Sequence, residues 1–189
     1  MKKHYEMRFG GTGGQGMMLM GDITAQAAGI KEGKEILLTK SYGPESRGGA
    51  CRSEIIIDDD KITYPVVSEP DVVLAMSQQA CDSYTGDLAD GGIIIIDSDI
   101  VKTVPQGSRD IVSIPITRIA REVTGRELAA NIVALGAAAV LSDVLDEEAM
   151  KEAVIERFPA EFSEANVKAF NAGAAAAEEI IAGREKQYA

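Results

Sequence analysis

Seven residues near the amino terminus, GGTGGQG at positions 10–16, form a glycine-rich segment between a predicted strand and a predicted helix. Free backbone N–H groups and the positive end of the helix dipole make such a helix start attractive to phosphate and carboxylate groups. The segment is therefore predicted to bind the anionic part of a cofactor or co-substrate. The residues assigned to this role are Gly11, Gly13, Gly14, Gln15 and Gly16.

The spacing Gly11-x-Gly13-x-x-Gly16 also matches the glycine pattern of dinucleotide-binding folds. That fingerprint requires an acidic residue near the end of the second strand, where it holds the ribose. This chain has Thr39, Lys40 and Ser41 there, so the acidic residue that would recognise the ribose of a dinucleotide is missing. The glycines are also compatible with a purely structural role in tight strand-to-helix packing, and both alternatives stay open.

A second candidate segment is SYGPESRGGACRS at positions 41–53. Its Gly-Pro and Gly-Gly steps indicate an unusual backbone course, and its arginines suit a carboxylate, a phosphate or an acidic partner. Tyr42, Arg47, Gly48 and Arg52 are predicted to contact the cofactor or a partner. Because open α/β sheets place their sites at the carboxyl ends of the strands, both candidate segments are expected to meet at one edge.

The other polar signals are weaker. Ser77 follows an apolar run and is a plausible helix N-cap, and Asp97 and Asp99 also fit capping roles. Asn131 lies in an otherwise apolar helical stretch, where it is expected to be buried and to hydrogen-bond a backbone group. The chain has no P-loop and no Ser-His-Asp set, so no catalytic residue is predicted.

The charge balance excludes several classes of partner. The 189 residues include 19 Lys+Arg and 30 Asp+Glu, for a formal net charge of -11. Polyanion binding requires a clustered basic surface, so neither nucleic acid nor an anionic membrane surface is an expected partner. The amino-terminal segment lacks the apolar stretch of a secretory signal, and no apolar run approaches the roughly 20 residues that span a bilayer. The expected location is the cytoplasm.

The cysteine and histidine content argues against a metal centre within this chain. Cys51 and Cys81 are 30 positions apart, without a CxxC motif, and His4 is the only histidine. Structural zinc and iron–sulfur sites need several such ligands at close spacing. No metal ligand is therefore predicted, and both cysteines are expected to be free thiols.

The elements that position these residues alternate between strands and helices. Tyr5–Phe9, Glu35–Thr39, Asp71–Met76, Ile93–Asp97 and Ile111–Pro115 are predicted strands, the second of them buried on both faces. Cys51–Ile57 and Ile62–Val67 are predicted to pair as a hairpin, and Pro65 is expected to place the second strand at an edge or to make it very short.

Helices are predicted between Gly14 and Gly29, from Ser77 to about Ala89, and over Thr117–Val123, Glu127–Leu145, Glu147–Phe158 and Ser163–Ala182. This order predicts one three-layer α/β/α domain, residues 1–189, on a mixed and mostly parallel sheet.

Four motifs together resemble the gamma subunit of 2-oxoacid:ferredoxin oxidoreductases. They are GTGGQG at 11–16, SYGPESRGGACRSE at 41–54, YPVVSEPDVVLAMSQQA at 64–80 and NIVALGA at 131–137. The SYGPESRGG form looks most like the 2-oxoglutarate branch, with the branched-chain, pyruvate and indolepyruvate enzymes as relatives. The resemblance also implies the fold of the gamma domain (domain III) of pyruvate:ferredoxin oxidoreductase.

The resemblance implies an accessory subunit of a complex that converts a 2-oxoacid to acyl-CoA, CO2 and reduced ferredoxin. Thiamine diphosphate, Mg2+ and iron–sulfur clusters would then lie in alpha, beta and possibly delta subunits, and this chain would contribute to a shared coenzyme A site. Cys51 stands where relatives often carry a serine; near two arginines its thiol is expected to be more acidic than usual, but not catalytic. A free-standing nucleotide-dependent oxidoreductase and a purely structural docking module are the alternatives.

Overall fold

A computed structural model of the protein describes residues 2–42, 49–107 and 110–188. Within them a six-stranded sheet has the order β2-β3-β1-β4-β5-β6. The strands are β1 His4–Thr12, β2 Glu35–Tyr42, β3 Ala50–Asp58, β4 Val72–Ala75, β5 Ile93–Asp97 and β6 Asp110–Ile114. Strands β1, β4, β5 and β6 are parallel, and β3 runs antiparallel to both of its neighbours.

The helices connect these strands and then form a carboxy-terminal group. They are α1 Met17–Gln26, α2 Gln78–Tyr84, α3 Ile116–Thr124, α4 Ala130–Leu141, α5 Glu147–Arg157 and α6 Ala160–Tyr188. A π-helical turn, Ala27–Lys31, extends α1, and a 3₁₀ turn, Glu127–Ala129, precedes α4. The predicted α/β/α arrangement on a mixed, mostly parallel sheet is confirmed.

The two faces of the sheet are covered unequally. On one face, alternate residues of β1 such as Met7 and Phe9 pack with α1 and α4 in the large aliphatic core. On the other face, α2 covers a smaller cluster that includes Ala75, Ile94 and Ile96. The isoleucine run of β5 thus contributes to both cores, as expected for a strand buried on both sides.

Helices α4 and α6 pack with almost no side chain between them. A Cβ atom on Gly136 would stand 2.0 Å from the carbonyl oxygen of Phe170, and one on Gly173 would stand 1.9 Å from that of Val133. Only glycine permits backbones to approach this closely. This contact fixes the position of α4, whose first turn carries Asn131.

The predicted hairpin was assigned the wrong partner. Strand β3 pairs with β2, from Glu35 opposite Asp58 to Tyr42 opposite Cys51, whereas residues 62–67 form no strand. Both edges of β3 are already occupied, by β1 and β2, and Pro65 has no N–H to donate to a ladder. The Glu6 carboxylate instead anchors the following segment by accepting the N–H groups of Ser68 and Glu69.

Three other expectations need correction. Strand β2 was expected to be buried on both faces, but it is the edge strand and its second half is exposed. The helix expected to reach Ala89 ends at Tyr84, because the chain turns there towards β5. The single stretch expected from Glu127 to Leu145 is a 3₁₀ turn followed by α4, which ends before Ser142 in an extended conformation.

Candidate functional site

The glycine-rich segment lies at the carboxyl end of β1 and leads into α1. Gly11 still belongs to the strand and pairs with Cys51, while Gly14 and Gly16 have left-handed backbone angles, φ 98° and φ 83°. Gly16 is the N-cap of α1, and no side chain caps this helix. The backbone N–H groups in the first turn of α1 therefore have no side-chain acceptor.

Gln15 uses its side chain to hold the loop in place. Its Oε1 accepts the Thr12 N–H at 2.7 Å, and its Nε2 donates to the Met76 carbonyl at 2.8 Å. Because both ends of the amide are engaged within the chain, Gln15 fixes the loop to the end of β4. The prediction that Gln15 contacts a ligand is therefore limited, because its Oε1 and Nε2 atoms already have hydrogen-bond partners within the chain.

Asn131 lies beneath the start of α1. It is only 6% exposed, and its Nδ2 would stand 2.4 Å from a Cβ atom on Gly16. The expected burial is confirmed, but the structure shows no hydrogen-bond partner for this side chain among the residues it describes. This carboxamide lies beside an uncapped helix start and has hydrogen-bonding capacity that the described residues do not use.

A cavity of about 380 Å³ opens beside the glycine loop. Its walls come from the loop and from the segment that joins α3 to α4; they are Gly14, Gln15, Arg126, Glu127, Leu128 and Ala130. Leu128 is 82% exposed at its rim. Sequence reasoning missed Arg126, Glu127 and Leu128, although the glycine at 125, which ends α3 with φ 73°, was a signal for a loop there.

Tyr42 and Arg52 meet the same strand ends but face opposite sides of the sheet. Tyr42 lies opposite Cys51 in the β2–β3 ladder, and Arg52 is the next residue along β3. Since side chains alternate along a strand, the two side chains diverge. Tyr42 is 72% exposed, whereas Arg52 lies over the Tyr84 ring at 5.1 Å. The predicted residues Arg47 and Gly48 lie outside the described residues.

The convergence of the two candidate segments is confirmed for the part that the structure describes. Gly11 pairs with Cys51 and Thr12 with Ala50, so the end of the second segment lies directly beside the first. This ladder brings the backbone at Ala50, not the Arg52 guanidinium, to the loop.

A buried charge network on the α2 face was not predicted. Arg8 is 4% exposed, and its guanidinium donates to both carboxylate oxygens of Asp87, at 2.5 and 3.0 Å. It also donates to Glu54 at 2.7 Å, and Glu54 in turn pairs with Arg52 at 3.2 Å. Arg52 therefore lies over the Tyr84 ring and within ion-pair distance of Glu54, although its Nε makes no hydrogen bond with the described residues.

Cys51 does not have the acidic thiol that sequence reasoning expected. Burial raises its pKa above the ordinary value, because the thiolate would lose solvation in the core. The Arg52 side chain points to the other face of the sheet, so this arginine does not stabilise the thiolate. The prediction of an acidic thiol is wrong.

The remaining polar candidates act mainly as caps and braces. Ser77 accepts the Ala80 N–H at 3.1 Å as the N-cap of α2. Asp97 and Asp99 accept the N–H groups of Thr117 and Arg118 at the start of α3. These capping predictions are confirmed. Because the two aspartates accept N–H groups at the start of α3, those donors are not available to an anionic ligand.

Two general features complete the description. Among residues 2–42, 49–107 and 110–188, no group of three or more histidine, cysteine, aspartate or glutamate side chains is arranged to hold a metal ion. No helix in the part of the chain that the structure describes combines the length and apolar character needed to cross a membrane.

Comparison with known sequences gives consistent results over most of the chain. The profile of the family "Pyruvate ferredoxin/flavodoxin oxidoreductase" matches residues 6–176. The 2-oxoglutarate synthase subunit KorC of Methanocaldococcus jannaschii is 41% identical over 182 residues, covering 95% of this chain and 97% of the relative. KorC of Methanothermobacter marburgensis is 40% identical over 174 residues, covering 89% and 94%.

Two solved structures share the fold. The gamma subunit of a keto/oxoacid ferredoxin oxidoreductase from Geobacter sulfurreducens superimposes with a TM-score of 0.84 at 45% identity, covering 93% of this chain and 99% of that one. The 2-oxoglutarate:ferredoxin oxidoreductase of Magnetococcus marinus, solved with 2-oxoglutarate, coenzyme A and succinyl-CoA bound, gives 0.83 at 25% identity. The match covers 95% of this chain and 32% of that longer one.

Proposed function

The chain belongs to the pyruvate ferredoxin/flavodoxin oxidoreductase family, and we propose that it is the accessory gamma subunit of a complex that oxidises 2-oxoglutarate. The observation that carries this proposal is the near full-length match to KorC subunits and to a gamma subunit of the same size. The complex is an oxidoreductase, and this chain by itself is expected to be inactive.

We place part of the coenzyme A site at the glycine loop. The uncapped start of α1, the adjacent cavity and the unpartnered Asn131 carboxamide fit an anionic ligand with amide groups. The loop residues Gly13, Gly14 and Gly16 would let the backbone approach the ligand closely, and Gln15 would keep the loop in that shape. Gly11 would contribute indirectly, because it is a buried residue of β1 whose Cβ would meet Gln15 and Met17. Tyr42, at the exposed end of β2, would cover the same edge or contact a partner.

Coenzyme A supplies the thiol that takes up the acyl group. This chain's residues would bind and orient its polar parts and leave the reacting thiol to a partner subunit. Thiamine diphosphate, Mg2+ and the iron–sulfur clusters are proposed to lie in alpha, beta and possibly delta subunits, and ferredoxin would contact the complex through them. The proposed location is the cytoplasm.

A pull-down tests the function directly. The tagged chain is purified gently from its native cells, and the eluate is assayed for coenzyme A-dependent reduction of a viologen by 2-oxoglutarate, pyruvate, a branched-chain 2-oxoacid and indolepyruvate. Co-purification of thiamine diphosphate and iron–sulfur subunits, with highest activity on 2-oxoglutarate, is the expected result. An isolated, inactive chain would contradict the proposal.

The glycine spacing keeps a second candidate, a free-standing nucleotide-dependent oxidoreductase, open to test. Calorimetric titration of the isolated chain with NAD(H) and NADP(H) distinguishes the two functions, because the gamma-subunit proposal expects no tight binding. A purely structural docking role makes another prediction: Arg47→Ala would weaken assembly without changing the coenzyme A affinity of the assembled complex.

A further inference from the structure

We propose that Arg126 binds the phosphate groups of coenzyme A from the wall of the cavity opposite the glycine loop. This inference rests on the proposed function and adds a residue that neither the glycine pattern nor the family motifs single out. The cavity places Arg126 and Gly14 on its lining together, so a ligand held at the start of α1 lies within reach of this side chain.

The Arg126 guanidinium has no ion pair or hydrogen bond with any residue that the structure describes. Two other arginines near the site have acidic neighbours: Arg52 lies beside Glu54 and over the Tyr84 ring, and Arg121 pairs with Glu127. An unpaired arginine beside an uncapped helix N-terminus combines two favourable interactions for a phosphate, a planar set of N–H donors and the helix dipole.

The one acid on the cavity wall is paired with an arginine. Glu127 would repel a phosphate, but its carboxylate pairs with the Arg121 guanidinium. The charge that a ligand meets in this cavity is therefore mainly that of Arg126. Asp97 and Asp99 accept backbone N–H groups at the start of α3, which borders a different cavity.

The backbone around Arg126 is held by local contacts. Gly125 ends α3 in a left-handed conformation, and the Arg126 N–H donates to Thr124 Oγ1 at 3.2 Å. Thr124 Oγ1 in turn donates to the Ala120 carbonyl of α3 at 2.8 Å, and the Ala129 N–H donates to the Arg126 carbonyl at 3.4 Å. These bonds fix where the side chain leaves the turn, which reduces the conformational entropy lost on binding.

The unpartnered Asn131 carboxamide supplies independent support for a ligand here. It is more than nine-tenths buried and abuts Gly16, directly behind the loop that faces Arg126. Its amide donors and acceptor are engaged by no described residue, so they are available to a ligand at this helix start. Arg126 and Gly14 thus line one cavity, and Asn131 contacts the same glycine loop at Gly16.

The test uses the assembled complex reconstituted with wild-type, Arg126→Gln, Arg126→Lys or Arg118→Gln chains. Arg118 is the matched control, because it is an exposed arginine on the preceding helix, outside this cavity. Coenzyme A binding is measured by calorimetry without 2-oxoacid, and KM and kcat are measured separately. Dephospho-coenzyme A, which lacks the 3′-phosphate, is titrated in parallel.

Arg126→Gln is expected to weaken coenzyme A binding about tenfold, as for the loss of one charge-assisted hydrogen bond, and to raise KM with kcat unchanged. Arg126→Lys should recover part of the affinity, and Arg118→Gln should match the wild type. A loss that persists with dephospho-coenzyme A assigns Arg126 to the diphosphate, and a loss that disappears assigns it to the 3′-phosphate.

Unchanged affinity in Arg126→Gln, or an equal loss in Arg118→Gln, would overturn the inference while leaving the proposed function intact. A wild-type complex that binds no coenzyme A, or that forms without this chain, would overturn both. The wild-type titration comes first, so the two failures are distinguishable.

Discussion

The side-chain amide of Asn131 lies against the backbone of Gly16, so closely that a Cβ atom at position 16 would stand 2.4 Å from Nδ2. This contact joins the first turn of α4 to the N-cap of α1. The end of the glycine loop is therefore shaped by a residue more than 100 positions away in the sequence. Gly16 is needed for two reasons, its left-handed backbone and the presence of Asn131.

Gly16→Ala and Gly14→Ala separate these two requirements. Both residues have positive φ, but a Cβ atom on Gly14 meets nothing within 4 Å. We expect Gly14→Ala to lower the free energy of unfolding by about 1 kcal/mol, and Gly16→Ala by about 2 kcal/mol or more. Urea denaturation measures both. In an Asn131→Ala background the excess cost of Gly16→Ala should shrink, and an undiminished excess would contradict the contact.

Gly173→Ala is expected to destabilise the fold by about 3 kcal/mol or more. Its new methyl group would stand 1.9 Å from a main-chain oxygen, which cannot rotate away as a side chain would, so α6 must separate from α4. Gly183→Ala, on the same helix but in open space, is the control. That change should raise the free energy of unfolding by about 0.5 to 1 kcal/mol, because alanine favours helix more than glycine does. Equal changes in the free energy of unfolding for Gly173→Ala and Gly183→Ala would contradict the close packing of α6 against α4.

Much of this architecture follows from local patterns in the sequence. The isoleucine run of β5, the cap at Ser77 and the glycine turn before α1 each specify a strand, a helix start or a tight loop by themselves. The parallel sheet then follows from the alternation of these elements.

Pairing and burial depend on distant residues, and here the predictions failed. The apolar residues of β3 fit a hairpin with residues 62–67 equally well, and only the three-dimensional structure shows that β1 and β2 occupy both of its edges. Arg8 is a charged residue in an amino-terminal strand, and nothing local predicts that Asp87 and Glu54 will bury it. The cavity wall at Arg126 similarly depends on how the α3–α4 connection folds back onto the glycine loop.

Replacing Arg8 and replacing Arg52, which both contact the Glu54 carboxylate, should lower the free energy of unfolding by different amounts. Arg8→Leu leaves Glu54 and Asp87 without their buried partner and should cost about 3 kcal/mol of unfolding free energy. Arg52→Leu removes a half-exposed ion pair and the contact with Tyr84, and should cost about 1 kcal/mol. Thermal and urea unfolding measure both variants. An Arg52→Leu cost equal to that of Arg8→Leu would show that burial of Arg8 adds nothing.

His4 makes stability depend on pH. Its hydrogen bond to Asp58, at 2.7 Å, is the main cause that raises its pKa above the ordinary 6.5, with Glu6 adding to the effect. A raised folded-state pKa means that the folded protein binds the proton more tightly. The stabilisation is therefore complete below pH 6.5 and is lost as the pH rises through the folded-state pKa.

Two measurements check this dependence. Because His4 is the only histidine, its ring proton resonances report its pKa directly, and that pKa should lie above the value in the urea-unfolded chain. The urea midpoint of the wild type should fall between about pH 6 and about pH 9 by more than that of His4→Gln. The same change in both proteins would assign the pH dependence to other groups.

Cys51→Ser should leave turnover of the reconstituted complex unchanged. The thiol is buried, its pKa is raised by that burial, and its neighbour Arg52 points to the other face of the sheet, so these surroundings do not favour the thiolate that a nucleophile needs. A serine hydroxyl in this core should cost about 1 kcal/mol of unfolding free energy. Cys81→Ser, at the other buried thiol, is the matched control for that cost. Loss of kcat in Cys51→Ser alone, with assembly and coenzyme A affinity intact, would give Cys51 a chemical role that its surroundings do not support.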